Sequence, residues 1–519
     1  MKIISNFAKK INEYMATESE KLASSLEVLR KLQQDGHTFV ICTKDISRTH
    51  LVRLVDNGFL EKVINGWYIP SEPTAQHGDT TAWYISYWTF VAQYLKDRLG
   101  NVWSLSPEQS LDILTGNCCV PRQLIVRSSQ CNNSVVQLIH GCSIFLLKSN
   151  CAEEICVEPN YGLNVYGISE AIIMVAPTFF QREPVTARAA LSAVKDSSDV
   201  LRFLLDSGKT VKAGRIIGAF RNVGMADMAD EIKSVMSMSG HLVREEDPFA
   251  EKLEVTRNQS PYATRIVLMW HNMRETVLYC RPETNATVDV DLYMKDVDER
   301  YKHDAYHSLS IEGYQVTEKL IEKVKSGKWN PKTSKSDAKT RDALAARGYW
   351  QAFQVVKESI MSVLSGMNPG KVVETDHRKW YQEMFAPCVA AGIIKPIDVA
   401  GYRAGQVFIR HSMHTPLNSD AVRDTMPVLF EMLKQEEDAW VRAVLGHFVF
   451  TFIHPYYDGN GRIGRFLMNV MLASGGYRWT IIPADMREVY MSALEKASVE
   501  GDIRNFAEFL ATMVKKNLG

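Results

Sequence analysis

VRAVLGHFVFTFIHPYYDGNGRIGRFLMNVMLAS, residues 441–474, reads as an apolar helix, a short polar turn and a second apolar helix. Val441, Val444, Leu445, Phe448, Val449 and Phe452 recur at helical spacing. The pattern stops at His454-Pro455, because proline disfavours helix for the residue before it. It resumes after Gly461 with Ile463, Phe466, Leu467, Val470 and Met471.

The turn between the two helices suits an anion. Asp458-Gly459-Asn460-Gly461 places two glycines just before a helix start, where the backbone can approach a ligand closely. The free N–H groups of the new helix point into the loop, with the positive end of the helix dipole behind them. Arg462 and Arg465 are three apart and share one face of the first turn. Positive charge is unfavourable at that end of a helix, so an anion, such as a polyphosphate, is expected to compensate it. Asp458 is a hard oxygen ligand suited to Mg²⁺ carried in with nucleotide phosphates. His454, at the lip of the turn, can take a proton near neutral pH.

The run His454-Pro455-Tyr456-Tyr457-Asp458-Gly459-Asn460-Gly461-Arg462-Ile463-Gly464-Arg465 resembles the signature of Fic-domain proteins, H-x-F-x-(D/E)-G-N-G-R-x-x-R. One position departs: the usual phenylalanine is Tyr456, still an aromatic anchor. The resemblance implies an all-α Fic domain with a β-hairpin flap. It implies an adenylyltransferase that moves AMP from ATP to a Tyr, Thr or Ser hydroxyl of a target protein, or of itself. His454 would be the catalytic base. Asp458, Gly459, Asn460, Gly461, Arg462, Ile463, Gly464 and Arg465 would bind the nucleotide, with Asp458 holding Mg²⁺.

Two further segments gain meaning beside this motif. Ser308-Leu309-Ser310-Ile311-Glu312-Gly313 matches the family's inhibitory signature, (S/T)-x-x-x-E-(G/N). In relatives that glutamate pairs with the second arginine of the motif, here Arg465. Glu312 would then occupy the seat of the γ-phosphate, and the chain would be of the class inhibited from its own N-terminal side. Gly401–Pro416 resembles the flap, with Gln406–Arg410 alternating as a strand. Ile409, Arg410, His411 and Ser412 would lie near the nucleotide. Tyr490 falls where relatives set a tyrosine against the adenine, and a neighbouring family asparagine is Ser498 here. The resemblance also admits the reverse reaction, AMP removal with Glu312 aligning water, and transfer of UMP or another phosphate-linked group.

The rest of the chain sets the frame. Its 519 residues suggest roughly three domains of about 100–200 residues each. Lys plus Arg and Asp plus Glu both number 60, so overall charge names neither a nucleic acid nor a membrane as partner. Nine cysteines without a C-x-x-C fit a reducing cytoplasm. No signal-peptide core and no membrane-length apolar run is present. The sequence leaves an oligomer open.

Residues 1–75 read as a winged helix-turn-helix. Leu22, Leu26, Val28, Leu29 and Leu32 mark one helix; a second starts at Thr43–Ile46 and runs to Asn57-Gly58; Phe59–Pro70 forms a hairpin about Asn65-Gly66. Lys44, Arg48, His50 and Arg53 could meet DNA phosphates, giving residues 43–70 as a candidate DNA contact. A DNA-binding, antitoxin-like regulator with a nucleotide-sensing Fic domain is the corresponding alternative function. Residues 76–245 read as a mixed α/β domain, with strands at Gln123–Arg127 and Ser143–Leu147 and a helix over Ala187–Leu205. Gly208-Lys209-Thr210 is not a phosphate loop, since Phe203 stands where the first glycine is required. The first half resembles the AbiEi-like abortive-infection antitoxin family. Residues 246–300 would be a helical connector, with helices at Ile266–Met273 and Tyr293–Tyr301, and 301–519 the Fic domain with its inhibitory helix. Lys325–Lys339 is polar and reads as a surface loop.

Overall fold

A computed structural model describes residues 17–34, 39–74, 79–205, 209–253, 260–284, 289–326 and 341–516. Most of the polar stretch 325–339 therefore lies outside the described residues.

The chain begins with α1 (Glu18–Gln34), a short strand β1 (Ile41–Cys42), α2 (Arg48–Asp56) and the hairpin β2 (Leu60–Ile64) and β3 (Trp67–Pro70). The strands pair in the order β1-β3-β2, all antiparallel. Gly66, at φ 87°, supplies the left-handed residue that the tight turn requires. The second helix starts at Arg48 rather than at Thr43, because Ser47 provides the N-cap and Asp45 folds back to accept the Cys42 N–H at 2.9 Å. The hairpin serves two cores. Leu60 joins Leu29, Ile46, Leu51 and Leu54, while Val63, Trp67 and Ile69 pack against Trp83, Phe90 and Tyr94.

Next come α3 (Thr81–Leu99), β4 (Ser104–Leu105), α4 (Pro107–Leu114), β5 (Gln123–Ser128), β6 (Ser134–Gln137) and β7 (Ser143–Lys148). They form a mixed sheet in the order β4-β5-β7-β6, with only β5 and β7 parallel. A two-stranded ribbon, β8 (Ile155–Val157) and β9 (Asn164–Tyr166), leads into α5 (Ile168–Met174), α6 (Phe179–Arg182), α7 (Pro184–Ala193), α8 (Ser198–Leu205), α9 (Thr210–Asn222) and α10 (Ala226–Met238). The expected continuous helix over 187–205 is thus two helices. Asp196 accepts the Ser198 N–H at 2.8 Å, and that capping chemistry starts α8 afresh.

The C-terminal half is helical: α11 (Pro261–Tyr279), α12 (Val290–Ile311), α13 (Glu318–Lys325), α14 (Arg341–Leu364), α15 (Pro369–Ala390), α16 (Ser419–Gln435), α17 (Ala439–Ile453), α18 (Asn460–Ala473), α19 (Arg487–Glu500) and α20 (Arg504–Lys516). One apolar cluster runs from Ile266 to Val514, so α11 and α12 belong to this core, and both helices run longer than the sequence suggests. At its centre lie α17 and α18. Every residue of α17 from Trp440 on is buried except Thr451, and every residue of α18 except Gly461. Helices buried on every side belong in the middle of a core. α11 also reaches the first half, where its buried Arg265 donates to Thr115 Oγ1 and Thr186 Oγ1, both at 3.2 Å. Among the described residues, no helix is long and apolar enough to cross a membrane.

The expected flap hairpin does not form. Residues 401–418 hold no strand. The segment's own side chains and groups from elsewhere take backbone groups that a ladder would use. Arg403 donates to the carbonyls of Gly405 and Leu417, and Gln406 to that of Pro416. Glu495 accepts the Met413 N–H at 2.7 Å, Thr81 Oγ1 the His411 N–H at 3.2 Å, and the Met413 carbonyl receives the Val120 N–H at 3.0 Å.

Candidate active site

The turn between α17 and α18 is closed by its own hydrogen bonds and leaves a helix start open. α17 ends at His454, whose left-handed backbone (φ 54°, ψ 60°) turns the chain before Pro455. Asn460 closes the loop by accepting the Tyr456 N–H and donating to the Tyr456 carbonyl, each at 2.9 Å. α18 starts from Gly459 at φ 80°, where no side chain caps the helix. Its first N–H groups are therefore left for something else. Gly459 is required twice over, since a Cβ there would also meet Phe385 at 2.9 Å.

Both arginines are buried and poorly satisfied. Arg462 Nε and Nη2 and Arg465 Nη1 have no hydrogen-bond partner. Such groups in a native site call for an acceptor. One anion is already present. Glu312, at the end of α12, lies with Oε1 2.7 Å from Arg465 Nη2, and a Cβ on Gly461 would stand 2.5 Å from the same oxygen. Ser308 fixes the same guanidinium, accepting from Nε at 2.9 Å through its hydroxyl and from Nη2 at 3.1 Å through its carbonyl. Arg487 Nε, in turn, donates to the Ile311 carbonyl at 2.8 Å and holds the end of α12.

His454 is half-buried. Its Nδ1 lies 3.2 Å from the Thr451 carbonyl, an acceptor, so Nδ1 carries the hydrogen and the Nε2 lone pair is free. Burial, aided by the Arg403 charge, pushes its pKa down to about 4. The imidazole is neutral at ordinary pH and can accept a proton.

Asp458 is more than half exposed. Its Oδ1 accepts the Gly459 N–H at 2.6 Å and its Oδ2 lies 3.2 Å from Arg462 Nη2. No cluster of three or more potential metal ligands occurs among the described residues. A single exposed carboxylate still fits Mg²⁺, which keeps waters and takes most of its remaining ligands from substrate phosphates.

The other residues singled out from sequence scatter more. Tyr490 is fully buried, its hydroxyl 2.8 Å from His447 Nε2, and burial raises its pKa to about 12. Ile463 and Gly464 are interior to α18, with Gly464 against His447. Ile409 accepts the Ser412 N–H within the same loop, His411 bonds the first half and Ser412 bonds α19, so these contacts do not run to the motif. Ser412 donates to Glu495, and His411 Nδ1 lies 3.4 Å from Asp79 Oδ1. Of the basic residues of the first helices, Lys44 is paired with Asp97 at 2.5 Å. His50 Nδ1 lies 3.0 Å from Ser25 Oγ, and Arg53 donates to Ser25 and to the Lys21 carbonyl.

Sequence reasoning missed two struts. Arg403 is fully buried, and it donates through Nε to the His454 carbonyl at 2.8 Å while its own N–H binds the Pro455 carbonyl at 3.0 Å. With only carbonyls as partners, burial lowers its pKa to about 10. Glu495 anchors Ser412 and Met413. An arginine one residue after Tyr402 was a visible signal; the Glu495 contact, across 83 residues, was not.

Residues 374–472 match the family model for the Fic/DOC family. Protein adenylyltransferase Fic of Drosophila virilis is 35% identical over 131 residues, 24% of this chain and 26% of that protein, and that of Drosophila melanogaster matches equally. The chain thus spans about a quarter of the length of the curated relatives it matches. Among solved structures, Fic-1 from C. elegans aligns with TM-score 0.37 at 16% identity, over 68% of this chain and 89% of that one. A Fic-domain-containing signalling protein from Bacteroides thetaiotaomicron aligns with TM-score 0.35 at 14% identity, over 48% and 94%.

Proposed function

We propose that this chain, which carries a Fic domain at its C-terminal end, is a protein adenylyltransferase that transfers AMP from ATP to a target hydroxyl and is held in check by Glu312. The supporting observation is the carboxylate of Glu312 against Arg465 and Gly461, an anion on the seat a terminal phosphate would use.

On this reading, the free N–H groups at the start of α18 and the unpartnered nitrogens of Arg462 and Arg465 bind the triphosphate. Asp458 would hold Mg²⁺, which supplies positive charge to the phosphates as they react. His454 Nε2 takes the proton of a target Tyr, Thr or Ser hydroxyl. The hydroxyl oxygen bonds to the α-phosphorus, the bond from that phosphorus to the β-phosphate oxygen breaks, and pyrophosphate leaves. With Glu312 on Arg465 the γ-phosphate is displaced, and the α-phosphorus is misaligned. A shift of about 1 Å costs roughly 10²-fold in rate. Ile409–Ser412 would border the nucleotide and the target, and Tyr490 the base. The same proposal takes residues 1–75 as a winged unit, 76–245 as the α/β domain, 246–300 as connector and 301–519 as the catalytic domain, with a cytoplasmic location.

The test is intact mass after incubation with ATP and Mg²⁺, for wild type and Glu312→Gly. An added AMP on the Glu312→Gly protein, absent with His454→Ala, is the expected result. Identical masses in all three, with candidate protein substrates also unlabelled by α-³²P-ATP, reject the reading.

A further inference from the structure

We propose that Tyr314 is a positioning residue for Arg462, so that one short segment blocks one motif arginine while it holds the other ready. The inference rests on the adenylyl-transfer reading of the same site. Arg462 is 1% exposed, and its guanidinium carbon lies 5.3 Å from the Tyr314 ring centroid and 5.1 Å from that of Phe385. Its ion-pair partner is Asp458, a half-exposed carboxylate 3.2 Å away.

A buried guanidinium needs compensating negative potential. A well-aligned carboxylate would supply it but would occupy the N–H donors. Aromatic faces supply it through their quadrupole and leave the donors free. Arg462 is close to that state: its Nε and Nη2 make no hydrogen bond, and the exposed Asp458 meets Nη2 only as an ion pair at 3.2 Å. For an arginine that must hand its donors to a phosphate, two rings are better supports than a carboxylate.

Tyr314 is itself firmly placed. Gly313 turns the chain at φ 83°, the Tyr314 N–H bonds the Leu309 carbonyl at 3.1 Å, and the Gln315 N–H bonds Asp342 at 3.1 Å. Arg341, at the start of α14, lies 4.9 Å from the same ring. Glu312 and Tyr314 therefore flank one glycine and reach the two arginines separately. It follows that activation swings the Glu312 side chain away while the segment stays. Withdrawal of the whole segment would free Arg465 and loosen Arg462 together.

The experiment uses the full chain in the Glu312→Gly background, with ATP affinity measured by titration calorimetry in Mg²⁺ and AMP transfer measured against ATP concentration. Tyr314→Ala should weaken ATP about tenfold and raise KM in proportion, with the maximal rate little changed. Tyr314→Leu, which keeps apolar bulk without a ring face, should match it. Tyr314→Phe and Tyr314→Trp should bind as the parent does. Leu binding as well as Phe, or Phe failing as Ala does, overturns the proposal. Should the Ala variant melt early, the Leu and Phe pair decides alone. A Glu312→Gly parent that binds ATP but transfers nothing would overturn adenylyl transfer instead, and the affinities would still judge Tyr314.

Discussion

Two regions of this chain carry arginines on the first turns of a helix, and they differ in what surrounds them. In α18, Arg462 and Arg465 are buried, the helix start is uncapped, and three guanidinium nitrogens lack acceptors. In α2, Ser47 caps the start, Arg53 and His50 turn inward onto Ser25, and Arg48 stands exposed. Charge count is similar in both. The difference is that α18 keeps its helix start open and some guanidinium nitrogens without hydrogen bonds, while α2 spends its cap and Arg53 on the protein itself. Buried arginines beside an uncapped helix start, not positive charge alone, are what single out the loop.

The largest break in this contrast is His454→Ala, which should abolish AMP transfer, a loss of at least about 10²-fold, because the neutral imidazole is the base the proposal uses, and Asp458 is committed to Arg462 and the Gly459 N–H. Glu312→Gly comes next and should raise transfer roughly 10²-fold. Both are read by label from α-³²P-ATP. Equal labelling of wild type and Glu312→Gly would mean that the Arg465 donors are not in fact withheld by that carboxylate.

The catalytic half should also announce itself in acid. His377, His414, His447 and His454 all have pKa values lowered by burial from 6.5 to about 4. The folded state therefore favours their neutral forms. Their contribution to stability is present above pH 6.5 and is lost as pH falls toward 4, by about 1.4 kcal/mol per pH unit for each histidine. Thermal melts between pH 7.5 and 4.5 should show this half failing first, and His454→Ala should flatten the slope by one histidine's share. The acid limb of transfer should follow the same base, falling near pH 4 rather than near 6.5.

On the other side of the contrast, Arg53→Ala should cost the first helices about 1–2 kcal/mol through its lost bonds to Ser25 and Lys21, and leave transfer intact. Duplex DNA, by the same logic, should bind weakly if at all. A strong, salt-sensitive mobility shift that Arg48→Ala removes would break the comparison outright, since it would make exposed charge alone sufficient.

What was legible from sequence was local. The α17–turn–α18 unit follows from apolar period, His-Pro and two glycines within 34 residues, and the β2–β3 hairpin from alternation about Asn65-Gly66. Glu312 meeting Arg465 was readable because a short signature sits beside a specific motif. What failed was long-range. The flap pattern at 406–410 is strand-like, but just beyond it Glu495, Thr81 and Val120 claim the backbone of His411 and Met413, and none is near them in sequence. The inward turn of Arg53 depends on Ser25, 28 residues away. Tyr314 lay next to the inhibitory signature, yet its ring mattered only once Arg462 was seen beside it.

The smallest effect tests the loop's one departure from the family signature. Tyr456 is fully buried, stacked on Tyr381 with ring centroids 3.8 Å apart, and its hydroxyl has no hydrogen-bond partner. The ring is what the site needs, since it wedges the loop that Asn460 closes through Tyr456's own backbone. A buried, unsatisfied hydroxyl is a burden of about 1–3 kcal/mol, part of which repacking recovers when it is removed. Tyr456→Phe should therefore raise the melting temperature slightly, by about 1 kcal/mol of stability, and leave transfer unchanged. On the proposed reading the unsatisfied nitrogens of the arginines are kept for a ligand, whereas the Tyr456 hydroxyl is only a cost. If Tyr456→Phe lowered transfer while stability rose, that distinction would fail, and the hydroxyl would count with Arg462 and Arg465 among the groups kept free for a ligand.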